Sequence, residues 1–230
     1  VVTPVDVAQR MLRQIPRERI GKDAKFLDIA SKEGEFAYAI LQEFGSEYKD
    51  KIYSIPTSST AYEFTRKVYE SLGMPIENIA SNFNSYDLIG PHGDEIIERI
   101  KNMGITVAVG NPPYQDEGGS GGTNDAPIFQ DFSMAAKTLS SPFSTLIIPS
   151  KWFTGGRSNL LDPFRKEMLT CGTVSHLTAF NDAGELFPKD VEIKGGVCFY
   201  LNDAEHEGEC NYSLVKKGDT ESAQLILKDL

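Results

Sequence analysis

The sequence predicts an α/β fold, a mostly parallel seven-stranded sheet flanked by helices. Three observations predict it. Short β-branched apolar runs alternate with segments of helical period. At 230 residues, 40% of them hydrophobic, the chain is long enough to bury one full α/β core. A rigid turn, Asn111-Pro112-Pro113-Tyr114, directly follows the run Thr106-Val107-Ala108-Val109-Gly110. That order places it at the carboxyl end of a buried strand, where open α/β sheets bind ligands.

An amphipathic helix over 5–14 opens the chain, introduced by Thr3-Pro4 and with Asp6 suited to its positive end. The first strand, 25–30, ends Phe26-Leu27-Asp28-Ile29-Ala30 and runs through Ser31-Lys32-Glu33-Gly34 into a helix over 35–44. A strand over 51–55 and a helix over 60–72 repeat the alternation, and a strand over 78–82 precedes a helix over 93–102. The strand over 106–110 then delivers the Pro-Pro turn. The stretch 116–125 reads Asp-Glu-Gly-Gly-Ser-Gly-Gly-Thr-Asn-Asp, and so much glycine beside a candidate site predicts a mobile loop that closes on substrate. Helices over 127–139 and 159–169 and strands over 144–149, 173–180 and 195–201 complete the sheet.

Composition narrows the functional classes. No apolar run approaches the roughly 20 residues of a membrane span, and no signal peptide is visible. Three cysteines, Cys171, Cys198 and Cys210, are odd in number and lack paired metal spacing, which fits a reducing cytoplasm better than a disulfide framework. His92, His176 and His206 are isolated in sequence, so no metal site is expected. A net charge of −10 weighs against a chain that grips duplex DNA alone, since such proteins usually carry a basic face. Lys151, Arg157, Arg165, Lys166, Lys189 and Lys194 are the local exception, near the open edge of the sheet.

The turn carries the chemistry. Two consecutive prolines hold φ at about −65° and remove two backbone donors, leaving carbonyl oxygens, the Asn111 amide and the Tyr114 ring with little freedom. It is a site built from acceptors. An amino group conjugated to an aromatic ring offers two N–H donors and a delocalised lone pair; two fixed acceptors hold it, draw the nitrogen towards tetrahedral geometry and free the lone pair as a nucleophile. Asp28 and the glycine-containing turn after it suit a charged, nucleoside-bearing cofactor.

Thr3-Pro4 with Val7-Ala8 and Met11, then Asp28 to Phe36, Asn82-Phe83, the Asn111 turn, Ile148-Pro149-Ser150-Lys151-Trp152-Phe153, Leu186-Phe187-Pro188 and Gly195-Gly196-Val197-Cys198-Phe199-Tyr200 form an ordered series. The series resembles the gamma-class N6-adenine DNA methyltransferases of bacterial restriction–modification systems. In that group the catalytic domain precedes the target-recognition domain. The resemblance implies a Rossmann-like class I S-adenosylmethionine-dependent methyltransferase fold. It makes residues 1–230 the catalytic domain, with the recognition domain following residue 230. Thr3, Asp28, Ala30, Gly34 and Phe36 would hold S-adenosylmethionine, with Asn82 and Phe83 at its adenine and the ribose contact passing to Thr57 or Ser58. Asn111, Pro112, Pro113 and Tyr114 would be catalytic. Phe187, Lys151, Trp152 and Lys189 would serve the substrate, with Phe187 packing on a flipped adenine. The implied partners are double-stranded DNA and restriction or specificity domains in the same polypeptide, in the bacterial cytoplasm and away from membranes.

Three positions depart from the family pattern. Lys32 stands where the first glycine of the cofactor loop, usually Asp-Pro-Ala-Cys-Gly-Ser-Gly-x-Phe, is expected. The second strand ends Tyr53-Ser54-Ile55-Pro56-Thr57-Ser58, without the usual ribose-binding acid, and Asn82 replaces an aspartate. Two other readings stay open. The same tetrapeptide resembles the catalytic turn of release-factor glutamine methyltransferases, and a non-catalytic module that kept the fold but lost the cofactor would show such departures.

Overall fold

The computed structural model describes residues 1–116, 126–155, 159–188, 191 and 193–230. Eight strands form one sheet: β1 (Phe26–Ser31), β2 (Ile52–Pro56), β3 (Ile105–Gly110), β4 (Ser140–Pro149), β5 (Val174–Phe180), β6 (Val197–Asp203), β7 (Cys210–Lys216) and β8 (Asp219–Leu225). Their order is β2-β1-β3-β4-β6-β5-β7-β8. β6 runs antiparallel to β4 and β5, and β8 antiparallel to β7; the remaining neighbours are parallel.

The helices are α1 (Val5–Leu12), α2 (Glu35–Phe44), α3 (Ser59–Leu72), α4 (Gly93–Lys101), α5 (Phe129–Leu139) and α6 (Asp162–Thr170). Side chains alternate across the central strands, because successive Cβ atoms of a strand point to opposite faces. Phe26, Val107, Phe143 and Ile147 join the core under α1 and α2. Leu27, Ala108, Leu146 and Ile148 join the core under α5 and α6. Every residue of β1 is buried, as expected of a parallel strand covered on both faces.

The seven expected strands become eight by one loss and two gains. No strand forms over 78–82. Ile79 makes a single bridge to Ser54, and the Asn78 side chain donates to the carbonyls of Asp50 and Ile52 at 3.1 Å each. Only Ile79 and Ala80 there are apolar, so the segment has too little to bury against the sheet edge. The gains are β7 and β8, joined through Lys217 and Gly218 at φ 54° and 82°. Two positive-φ residues make the tight hairpin turn whose twist suits antiparallel strands. Among the described residues no helix is long and apolar enough to cross a membrane.

Candidate active site

β1 is flanked by β2 on one side and β3 on the other, so the strand order reverses there. The carboxyl ends at such a switch point form a crevice. Asp28 on β1 lies opposite Val109 of β3, and Asn111 follows the last residue of β3. After β1 the chain turns through Gly34, at φ 76°, into α2. A Cβ at Gly34 would stand 3.0 Å from Cβ of Val68, so both the backbone angle and the approach of α3 call for glycine.

Polar atoms gather in this crevice without partners. Asp28 is fully buried; its Oδ1 accepts the Ala30 N–H at 3.1 Å, and its Oδ2 has no hydrogen-bond partner among the described residues. Burial first, and then the Glu35 charge, push the Asp28 carboxyl up to about 8, against the pull of the Ala30 amide, Ser31 and Lys32. Asn111 is buried. Its Nδ2 donates to the Val1 carbonyl at 3.3 Å, while its Oδ1 is enclosed with no partner among the described residues. The Thr3 hydroxyl is in the same state, and the Thr3 N–H donates to Glu35 Oε1 at 3.4 Å.

Glu35 is the site residue that the sequence reading passed over. It is buried, and its second oxygen accepts the Glu33 N–H at 2.9 Å, so it ties the chain's first residues to the cofactor loop. The available signal was its place at the start of a helix after a glycine turn, where exposed amides favour a carboxylate. Ala30 and Phe36 are both buried, Phe36 within the core beneath the loop. Phe36 therefore supports the crevice from below.

Beside the end of β2 lies a cavity of about 520 Å³, lined among others by Pro56, Ser58, Glu63, Asn82, Phe83 and Asp87. Asn82 and Phe83 thus both face this cavity. Thr57, between the lining residues Pro56 and Ser58, donates its N–H to the Ser31 carbonyl at 3.0 Å. Ser58 spends its hydroxyl on the Ala61 N–H at 3.1 Å, capping α3. Asp87 is held by the Asn84 amide in a capping box, and Glu63 by Arg66 at 2.7 Å.

The residues expected to face the substrate are largely enclosed. Pro112 is buried and Pro113 half-buried. Tyr114 packs against the core under α5 and α6, with its hydroxyl buried and unpartnered among the described residues; burial pushes this phenol above its ordinary range. Trp152 is enclosed. It is 1% exposed, its indole N–H donates to Cys198 Sγ at 3.4 Å, and Phe153 and Phe164 meet it edge-on at 4.5 and 5.7 Å. The apolar ring finds all its contacts inside, so it is core. Phe187 is likewise enclosed, at 4% exposed, among Leu186, Ala183 and their neighbours, and presents no open face for a base. Lys151 is half-buried, its ammonium 5.6 Å from the Phe129 ring centroid, and burial lowers its pKa. Lys189, Arg157 and nearly all of the glycine-rich stretch, 117–125, lie outside the described residues.

Residues 25–187 match the family of the Eco57I restriction-modification methylase. Over 145 residues the chain is 35% identical to an uncharacterized adenine-specific methylase of Mycoplasma pneumoniae, covering 58% of this chain and 33% of that protein. It thus spans about a third of that relative's length. Among solved structures, a type I restriction-modification methyltransferase subunit from Streptococcus thermophilus superposes with a TM-score of 0.69 at 13% identity, over 99% of this chain and 51% of that one. The type IIG restriction endonuclease BpuSI gives 0.67 at 14%, over 93% and 27%. DrdV, solved in complex with DNA, gives 0.65 at 16%, over 97% and 30%. These likenesses establish the fold, the class I S-adenosylmethionine-dependent methyltransferase fold, here with eight strands. On the match over 25–187, the chain belongs to the Eco57I restriction-modification methylase family.

Proposed function

We propose that these residues are the catalytic domain of a DNA adenine-N6 methyltransferase that takes its methyl group from S-adenosylmethionine. The observation that carries this reading is Asn111 Oδ1: a buried acceptor without a partner among the described residues, on a Pro-Pro turn at the switch point. Buried polar groups are nearly always satisfied in folded proteins. An orphan held by two prolines is kept for a ligand that donates.

The residues present fit the cofactor. Asp28 Oδ2 and the Thr3 hydroxyl are orphaned acceptors suited to its methionine ammonium, and the cavity beside Asn82 and Phe83 offers a polar amide and an aromatic face to its adenosine. When bound, it supplies an activated methyl group on a sulfonium. Asn111 Oδ1 and the Pro112 carbonyl accept the two N6 protons of a flipped adenine, which aims the nitrogen lone pair along the transfer line. Alignment is the larger contribution, since fixing two reactants in line substitutes for a bimolecular encounter. Extruding the base costs a few kcal/mol, and stacking on the Tyr114 ring offsets part of it, at about 1–3 kcal/mol per base.

The charge of −10 assigns most of the phosphate grip to other parts of the protein, because phosphate neutralisation dominates affinity for DNA. Restriction and specificity segments in the same polypeptide are the partners this implies, acting with the domain in the bacterial cytoplasm. The test is calorimetric titration of the full-length protein with S-adenosylhomocysteine, alongside transfer of labelled methyl groups to adenine-containing duplexes. Saturable heat that Asp28→Ala weakens, together with labelled N6-methyladenine, is the expected result. Absence of heat and thermal shift at millimolar ligand overturns the reading.

A further inference from the structure

Lys32 stands at the position of a loop glycine, and its side chain turns inward. Its ammonium donates to the main-chain carbonyl of Asn111 at 2.5 Å. Facing this cation are the Asn111 main-chain carbonyl, which accepts from it, and the Asp28 and Glu35 carboxyls, which act on it through charge; Asp28 Oδ2 has no hydrogen-bond partner among the described residues. Burial lowers the Lys32 pKa and the two carboxylates oppose that shift, as for an ammonium enclosed among anions. The loop backbone is held by the Thr57 N–H on the Ser31 carbonyl at 3.0 Å and by the close approach of Gly34 to Val68. The part free to move is the four-carbon stem of the lysine.

We propose that Lys32 is a built-in competitor of the cofactor, its ammonium holding the place of the methionine ammonium among these acceptors and leaving when the cofactor enters. This rests on the cofactor reading above. An alternative role, in which Lys32 stays and pairs with the methionine carboxylate, meets an electrostatic obstacle: that carboxylate would come to rest beside Asp28 and Glu35. The cluster selects cations, so one cation replaces the other. With the amine removed, the acceptors are left for the ligand, and the ligand-free protein loses the cation that donates to the Asn111 carbonyl and faces the Asp28 and Glu35 carboxyls. Lys32 thus exchanges cofactor affinity for stability of the empty site.

Calorimetry on the full-length protein tests this with S-adenosylhomocysteine and with 5′-methylthioadenosine, which shares the nucleoside and lacks the amino-acid part. A competitor that occupies its site nine-tenths of the time weakens binding about tenfold. Lys32→Met is therefore expected to gain about tenfold for S-adenosylhomocysteine and nothing for 5′-methylthioadenosine, and to melt lower without ligand. Should Lys32→Met fail to fold, Lys32→Gln keeps an N–H donor for the Asn111 carbonyl without the charge, and the same selective gain is expected. Equal or weaker S-adenosylhomocysteine binding by the variants, with binding by wild type intact, overturns the competitor role and leaves the methyltransferase reading standing. No binding of either nucleoside by wild type or variants overturns both.

Discussion

The proposed cofactor side of the site and its proposed target side differ in what the protein itself has satisfied. Around Thr3, Asp28 and Asn111, acceptors are buried without partners among the described residues. On the target side, Trp152 has its N–H on Cys198 and its ring against Phe153 and Phe164, and Phe187 is packed into the core. Enclosed aromatic rings are an ordinary outcome of folding. Buried acceptors left open are rare, because each forfeits a hydrogen bond it had in water. The same state recurs at Ser144, Thr145 and Ser150, so the proposed role of Thr3, Asp28 and Asn111 rests on their place at the switch point as well as on their lack of partners.

The sharpest way to break that contrast is to remove the orphan itself. Asn111→Ala in the full-length protein should lower methyl transfer by about a hundredfold or more, the scale set by deleting one preorganised polar group at a reacting centre. Cofactor affinity should stay within a few-fold, because the carbonyl that Lys32 contacts belongs to the backbone. Single-turnover transfer and calorimetry measure the two separately. Near wild-type transfer would move the chemistry away from the turn.

On the target side the expected loss is in folding. Trp152→Ala and Phe187→Ala each delete a large ring from a closed core and should destabilise by about 3–5 kcal/mol, seen as a lower denaturant midpoint. Trp152→Phe should recover most of that stability. If either alanine variant lost adenine methylation at unchanged stability, the ring would be a substrate platform that opens when DNA arrives, and the contrast would vanish.

A smaller effect separates the two sides by pH. Asp28 has an ordinary unfolded pKa of about 3.9 and is pushed up to about 8 in the fold. Between those values the folded protein holds a proton that the unfolded chain has released. Its contribution to stability is present below the lower value and is lost as pH rises through the upper one. Asp28→Asn removes that dependence, so wild type should lose melting temperature relative to the variant between pH 5 and pH 8. A parallel course of the two proteins would mean that Asp28 is ionised throughout. Lys32, whose pKa is lowered by burial, acts with the opposite sign, and Lys32→Met measured alongside separates its share.

Local chemistry made some of this legible from the residues. α2 spans the expected 35–44 because Gly34 and Gly45 bracket it, both at positive φ. β3 and its turn are legible because an apolar run ends in two prolines. β7 and β8 were not, since β8 is exposed along almost its whole length and carries no apolar alternation to betray a strand. Motif spacing found Lys151, Trp152 and Phe187 but is blind to which way a ring faces, and that direction is decided by packing from β6 and α6. Glu35 was missed because its distant partner is Thr3, a contact that exists only once the start of the chain is packed against α2.

Tyr114 belongs to both sides, and its hydroxyl gives the finest test. The ring packs on the core under α5 and α6, while the oxygen is buried without a partner among the described residues. An enclosed hydroxyl that makes no hydrogen bond has forfeited its water without compensation, so deleting it should be neutral or stabilising by up to about 1 kcal/mol. Tyr114→Phe keeps the ring that would stack on a base and should retain methyl transfer within a few-fold, whereas Tyr114→Ala should lose both packing and activity. Thermal melts with single-turnover transfer on the pair of variants decide the matter. If Tyr114→Phe held its stability but lost transfer tenfold, the hydroxyl would have to find its partner only in the DNA-bound state, and the orphan on the target side would be as functional as those around Asp28.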